Sequence, residues 1–174
     1  MKILVAYASR LGSTREIAER IAGRLQMHGF EALALRARGV DNVPAYGAVI
    51  VGSAVYAGKW LDEATQFVHA NRAALAARPV WLFSSGPVGQ LPANVEPSAP
   101  RVVRDLMSEI DGLGHRVFFG AFERTTIDTS DLGRAERFVA KRFIPTGDFR
   151  DWEAVDAWAD EIAGELTRVS LLRA

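Results

Sequence analysis

The chain has 174 residues, with 21 basic and 21 acidic side chains and no cysteine. That length allows one domain with a sizeable core, and the balanced charge supplies no global field toward nucleic acid. The missing thiols exclude disulfides, thiolate metal sites, thiol nucleophiles and cysteine-based phosphatase chemistry. His28, His69 and His115 lack metal-ligand spacing and are expected as polar groups near element ends. No leader precedes the first apolar run and no apolar run approaches about 18 residues, so a cytoplasmic location is expected.

Residues 2–6 read as a buried parallel strand. Residues 15–25 place Ile17, Ala18, Ile21, Ala22 and Leu25 on one helical face. The turn between them holds Ser9, Arg10, Leu11, Gly12, Ser13 and Thr14. It joins the carboxyl end of a strand to the amino end of a helix, where unpaired N–H groups and a partial positive charge favour a phosphate. Hydroxyls from Ser9, Ser13 and Thr14 add donors, and Gly12 lets the backbone approach closely. The turn lacks the Gly-Lys-Ser/Thr ending of a Walker loop and the three spaced glycines of a dinucleotide fingerprint. The same residues would also serve an ordinary turn with Ser13 or Thr14 as helix cap.

Gly29 closes the first helix, and residues 30–35 form a second strand nearer an edge. Residues 47–53 are an apolar central strand running into a loop with Ser53, Ala54, Val55, Tyr56, Ala57 and Gly58, followed by Trp60. A helix is expected over 61–77 and a buried strand over 79–85. That strand ends in another small-residue loop, with Ser84, Ser85, Gly86, Val88 and Gly89. After an irregular proline-rich stretch come a helix over 101–113 and a last central strand over 115–122. An insertion over about 123–148 then breaks the rhythm, being too long for a simple loop, with a helix expected over 132–144. Arg134, Arg137 and Lys141 share one face of it beside Phe138, which would suit an anionic membrane surface; a solvated face over a packed one gives the same pattern. Asp151 caps a final helix with Trp152, Val155, Ala159, Ile162, Leu166 and Val169 inward.

Alternating strands and helices predict a single α/β domain over 1–174: a doubly wound, five-stranded parallel sheet of order 2-1-3-4-5 in three α/β/α layers. Ligands in such sheets bind outside the carboxyl ends of the strands. Three loops meet there, and the second and third narrow the ligand. Tyr56 offers a flat neighbour for a planar heterocycle, while the peptide groups of Ala57-Gly58 and the loop from Ser84 to Gly89 offer hydrogen bonds to its edges. Trp60 is either a second wall or part of the core edge. A receiver domain would need acidic residues at these strand ends, and a serine hydrolase would need Gly-x-Ser-x-Gly; neither is present. No pair of carboxylates sits in these loops, which fits a cofactor that carries the chemistry itself.

The hydroxyl-flanked glycine of residues 7–14 resembles the FMN-phosphate loop of the flavodoxin family, and the resemblance runs over essentially the whole chain. Within the family it is similar to the menaquinone-dependent protoporphyrinogen dehydrogenase group, which shares Thr14-Arg15-Glu16-Ile17-Ala18, the insertion after the fifth strand, and Asp151-Trp152-Glu153 at a helix start. The resemblance implies FMN as cofactor. Ser9, Arg10, Gly12, Ser13 and Thr14 would hold its phosphate, and the loops Ser53 to Gly58 and Ser84 to Gly89 its isoalloxazine. It implies an oxidoreductase passing electrons from a reduced organic substrate to a quinone; peripheral membrane contact through the insertion helix is one of the two readings of its basic face. The alternative is a one-electron carrier docking to a redox partner protein. Carriers of this family are usually strongly acidic, whereas this chain is neutral.

Overall fold

A computed structural model describes residues 1–86, 98–123, 133–134, 137–138, 142 and 145–172. The strands β1 (Lys2–Ala8), β2 (Glu31–Arg36), β3 (Ala48–Tyr56), β5 (Val80–Ser85) and β6 (Gly114–Phe118) form a parallel sheet in the order β2-β1-β3-β5-β6. Counting these five in chain order gives the expected 2-1-3-4-5. Helix α1 (Ser13–Met27) and the last helix, α5 (Trp152–Leu172), cover one face. Helices α2 (Asp62–Ala70), α3 (Arg72–Ala76) and α4 (Arg101–Glu109) cover the other.

Strand alternation divides the core into two layers. Ile3 and Val5 of β1 meet Ile17, Ile21 and Leu25 of α1 and Trp158 and Ile162 of α5. Leu4 and Ala6 point the opposite way, toward Phe67 and Val68 of α2 and Leu106 of α4. The apolar face predicted for α1 is buried at every position named. On their outer sides α1 and α5 are joined by a ladder of ion pairs. Arg20 forks Asp156 at 2.7 and 2.6 Å, Arg24 forks Asp160 at 2.7 and 2.8 Å, and His28 meets Asp160 at 2.7 Å. The hydrogen bonds from Arg24 and His28 hold the Asp160 carboxyl well below the usual carboxylate range.

Four expected boundaries move, each for a local reason. The helix expected over 61–77 is divided at Asn71, whose side-chain amide donates to the Phe67 carbonyl at 2.9 Å and ends α2. The helix expected over 101–113 stops at Glu109; Asp111 takes a φ of 50° and Gly112 N–H closes back on the Met107 carbonyl. The loop expected after residue 53 is a hairpin. Strand β3 runs on to Tyr56 and pairs with a short β4 (Lys59–Trp60) through a two-residue Ala57-Gly58 turn. Both turn residues have positive φ, 49° and 74°, the signature of a type I′ turn.

The fourth change bears on the insertion. The strand expected over 115–122 ends at Phe118, whose carbonyl accepts from Gly86 N–H at 2.9 Å. The chain then leaves the sheet, and β7 (Ala121–Phe122) pairs antiparallel with β8 (Gly147–Asp148). That ribbon is the base of the insertion. Of the helix expected over 132–144, residues 134, 137, 138 and 142 are helical, Gly133 is not, and Phe138 is 69% exposed; the remaining positions, Lys141 among them, lie outside the described residues. Val169 of α5 falls outside the described side chains as well. Among the described residues no helix is long and apolar enough to cross a membrane.

Candidate functional site

A cleft of about 300 Å³ opens at the carboxyl ends of the strands, between β1, β3 and β5. Its floor is the first turn, with Ser9, Leu11, Ser13 and Thr14. Gly12 takes a φ of 94°, a conformation that suits glycine, and stands at the N-cap of α1 without a side-chain cap. Neither Ser13 nor Thr14 caps the helix, so the expected capping role is absent. Two of the hydroxyls are oriented by backbone groups instead. Ser9 Oγ accepts from Gly12 N–H at 3.1 Å, and Ser13 Oγ accepts from Ala121 N–H at 2.9 Å. Each therefore keeps its own O–H for an acceptor in the cleft. A helix end without a side-chain cap, two pre-oriented hydroxyls and a small-residue floor fit the phosphate of FMN.

The second wall is the β3–β4 hairpin, with Ala54, Val55, Tyr56 and Ala57. The third is Ser85 and Gly86. These small residues and one ring match a planar heterocycle in size and character. Val88 and Gly89 lie outside the described residues. Gly58 sits in the hairpin turn, exposed and outside the cleft lining.

Four residues weighed for the site have other surroundings. Ser53 is fully buried; its hydroxyl donates to the Ala54 carbonyl at 2.9 Å and accepts from Leu61 N–H at 3.0 Å, so it ties the hairpin to α2. Ser84 is equally buried and accepts from Trp60 Nε1–H at 2.8 Å, with His115 Nε2 at 2.9 Å on its other side. Trp60, 4% exposed, belongs to the core edge rather than to the cleft. Arg10, expected on the phosphate, is outside the cleft lining, its guanidinium 5.4 Å from the centre of the Tyr56 ring.

His115 corrects the expectation of a surface polar group: it is half-buried on β6, and burial pushes its pKa down to about 4. The neutral ring can accept the Ser84 proton, because the indole N–H facing Ser84 from the other side can only donate. The network thus holds β4, β5 and β6 together just beneath the cleft.

A fourth wall was not foreseen. Gly120, Ala121, Phe122 and Pro145, from the base of the insertion, also line the cleft. Reading 115–122 as one strand hid them. The break at Gly120 was the only signal, and a glycine at a strand end is too common to point anywhere. Beside this wall, Arg150 forks Asp148 at 2.8 and 2.6 Å and reaches Glu16 of α1 at 2.6 Å, lying 4.5 Å over the Trp152 ring. Its bond to Asp148 raises the guanidinium pKa further and lowers that of the carboxyl. The insertion base is thereby fastened to the first turn of α1 on both sides, through Ser13 and through Glu16.

A family model described as "Flavodoxin domain" matches residues 4–142. Protoporphyrinogen IX dehydrogenase [quinone] of Escherichia coli K12 is 25% identical over 94% of this chain and 95% of its own. A Pseudomonas aeruginosa flavodoxin superposes with a TM-score of 0.60 at 18% identity, over 96% of this chain and 99% of its own. The rubredoxin oxygen:oxidoreductase of Desulfovibrio gigas gives 0.61 at 16% identity over 96% of this chain, which spans 36% of that longer protein. The cradle, the sheet order and a match running through most of the sequence place this chain in the flavodoxin domain family, with FMN as its cofactor and redox chemistry as its role.

Proposed function

We propose that the chain is an FMN-dependent dehydrogenase of the protoporphyrinogen type, passing electrons from a reduced organic substrate to a quinone. The observation that carries this reading is the end-to-end similarity to the Escherichia coli enzyme. It covers 94% of this chain, whereas the family model ends at residue 142, so the similarity reaches beyond that model into α5. In this chain the insertion base lines the same cleft as the phosphate turn, so the feature that extends the core also borders the flavin site.

Bound FMN supplies the electron-accepting ring, and the protein's residues bind, orient and shield it. Ser9, Ser13, Thr14 and the first amides of α1 hold the phosphate. Tyr56 gives the ring a flat wall, with Ala54 and Val55 behind it. Peptide groups at Ala57 and Ser85-Gly86, which line the cleft, would meet the ring edges. Phe122 and Pro145 exclude water on the insertion side. Arg134, Arg137 and Lys141, with the exposed Phe138, bring the insertion to an anionic membrane where a quinone resides.

Anaerobic mixing of the FMN-loaded protein with protoporphyrinogen tests the reading. Bleaching of the oxidised flavin band at a catalytic rate, with turnover on adding a menaquinone analogue, is the expected result. The flavodoxin neighbours favour the second reading, a carrier docking to a protein partner. A flavin that stays oxidised with protoporphyrinogen and is reduced by a flavodoxin reductase would establish the carrier. Reversing Arg134, Arg137 and Lys141 to Glu should abolish co-sedimentation with anionic liposomes; a parent protein that never sediments removes the membrane contact.

A further inference from the structure

The base of the insertion brings a charge pair up to the phosphate turn. Glu16 is the fourth residue of α1, and its N–H donates to the Gly12 carbonyl at 3.0 Å. One carboxylate oxygen, Oε1, lies 3.7 Å from where a Cβ on Gly12 would stand, so the carboxylate leans along the turn. The other, Oε2, accepts from Arg150 Nη1 at 2.6 Å. Arg20, one helical turn further along α1, is placed to answer Glu16 but forks Asp156 instead. Arg150 is firmly held: its side chain is 8% exposed, lies over the Trp152 ring, and forks Asp148 through Nε and Nη2. The pair stands close to the cleft. Leu11, Ser13 and Ala121 line both the cleft and a side hollow of about 110 Å³, and Glu16, Glu123 and Arg150 complete that hollow.

We infer that Arg150 is a positioning residue for FMN: it draws the Glu16 carboxylate aside and offsets a charge that would otherwise repel the phosphate at the amino end of α1. The inference rests on reading residues 9–14 as the phosphate turn, and it names the pair that tunes that turn. A carboxylate in the first turn of a helix is stabilised by the same partial positive charge that attracts a phosphate, so the two anions compete for one helix end. At neutral pH a phosphate monoester carries about −1.5 to −2 charges. Among the described residues the cleft lining contains no cation to balance it. Repulsion from an unmasked Glu16 would therefore fall directly on FMN affinity. An arginine suits this task because it stays charged at every working pH and its planar fork fixes its direction. Asp148 takes one edge of the guanidinium, and Nη1 is directed to Glu16. Riboflavin has no phosphate and does not meet the repulsion, so the pair sets a preference between the two flavins.

The test titrates FMN and riboflavin separately into the full chain stripped of flavin, following the quenching of flavin fluorescence. The variants are Arg150→Gln, Arg150→Lys, Glu16→Gln and the double Arg150→Gln/Glu16→Gln, each checked by circular dichroism. Arg150→Met, which keeps the stem over Trp152, replaces the glutamine variant if that one is unfolded at the assay temperature. The parent should bind FMN more tightly than riboflavin. Arg150→Gln should weaken FMN by roughly three- to tenfold and riboflavin by less than about twofold. Salt at about 0.5 M should recover part of that loss. Arg150→Lys keeps the charge and should keep most of the preference. Glu16→Gln alone should bind FMN at least as tightly as the parent, and the double variant should return to within about twofold of Glu16→Gln. That rescue separates masking of a charge from support of the insertion base, which Glu16→Gln cannot repair. A loss that persists in the double variant, a loss shared equally by riboflavin, or an unchanged FMN affinity in Arg150→Gln overturns the role of Arg150 alone. A parent that binds both flavins equally removes the phosphate turn, and the role of Arg150 with it.

Discussion

Substituting Gly52 by alanine tests the packing that holds the cleft wall in place. Gly52 lies in β3 opposite Phe83 of β5. A Cβ at Gly52 would stand 2.0, 2.2 and 2.6 Å from three atoms of the Phe83 ring, where ordinary contact begins at 3.4 Å. The ring must therefore retreat by more than about 1 Å, and it has nowhere open to go. Phe83 is fully buried, with Phe118 and Trp158 at centroid distances of 6.1 and 6.2 Å. Overpacking of this kind costs about 1–3 kcal/mol, and a ring blocked on two sides points to the upper end. At roughly 2–4 °C per kcal/mol for a chain of this length, the melting temperature should fall by about 6–12 °C. Gly52 lies two residues before Ala54, where the cleft wall begins, so FMN affinity should fall with it. Urea denaturation of Gly52→Ala, Phe83→Leu and the double variant supplies the decisive comparison. If the clash is the cause, the smaller leucine makes room, and the double variant is more stable than the sum of the singles predicts by at least about 1 kcal/mol. A melting temperature within about 1 °C of the parent, or strict additivity, refutes the reasoning.

Four further predictions follow from the cleft and its support. Ser84→Ala leaves the buried Trp60 indole N–H without its acceptor and should destabilise by about 1–3 kcal/mol in chemical denaturation; a neutral result would mean the indole finds another partner. His115 has a pKa near 4 in the folded chain against an ordinary 6.5, so between those values the unfolded chain binds the extra proton and stability falls as pH falls. After allowance for its partly exposed ring this amounts to about 1–2 kcal/mol, and the slope should flatten in His115→Asn. Ala57 pays for a left-handed conformation in the hairpin turn, so Ala57→Gly should raise stability by up to about 1 kcal/mol; a drop in melting temperature would contradict the I′ geometry. Ser13→Ala removes a cleft hydroxyl and orphans Ala121 N–H, which should weaken FMN by roughly tenfold in a fluorescence titration, and undiminished affinity would take Ser13 out of the cradle.

Much of the fold was legible because its signals are local. The apolar runs of β1, β3 and β5, the 3.6-residue stripe of α1 and the Asp151 cap of α5, which accepts Ala154 N–H at 2.9 Å, each depend on neighbours a few residues away. Alternation of strands and helices then restricts the sheet to few orders. The floor of the site was legible for the same reason. A hydroxyl-rich turn between a buried strand and a helix has one place to be, at the carboxyl edge of the sheet.

What the chain order could not reveal depends on contacts between distant residues. Ser53 and Ser84 look like cleft hydroxyls in sequence, but their partners are Leu61, Trp60 and His115, and those bonds turn them into the interior. Arg10 belongs to the phosphate turn by position, yet its side chain lies along Tyr56, 46 residues away in the chain. The fourth wall of the cleft depends on Ser13 capturing Ala121 N–H across 108 positions. The residues themselves determined the sheet, its helices and a phosphate turn at its edge, because hydrophobic periodicity and helix-end chemistry act at short range. Which hydroxyls face the cleft, where the Arg10 guanidinium lies and how the insertion closes its side were decided by the tertiary structure, because a side chain's direction is set by whichever partner the fold brings to it.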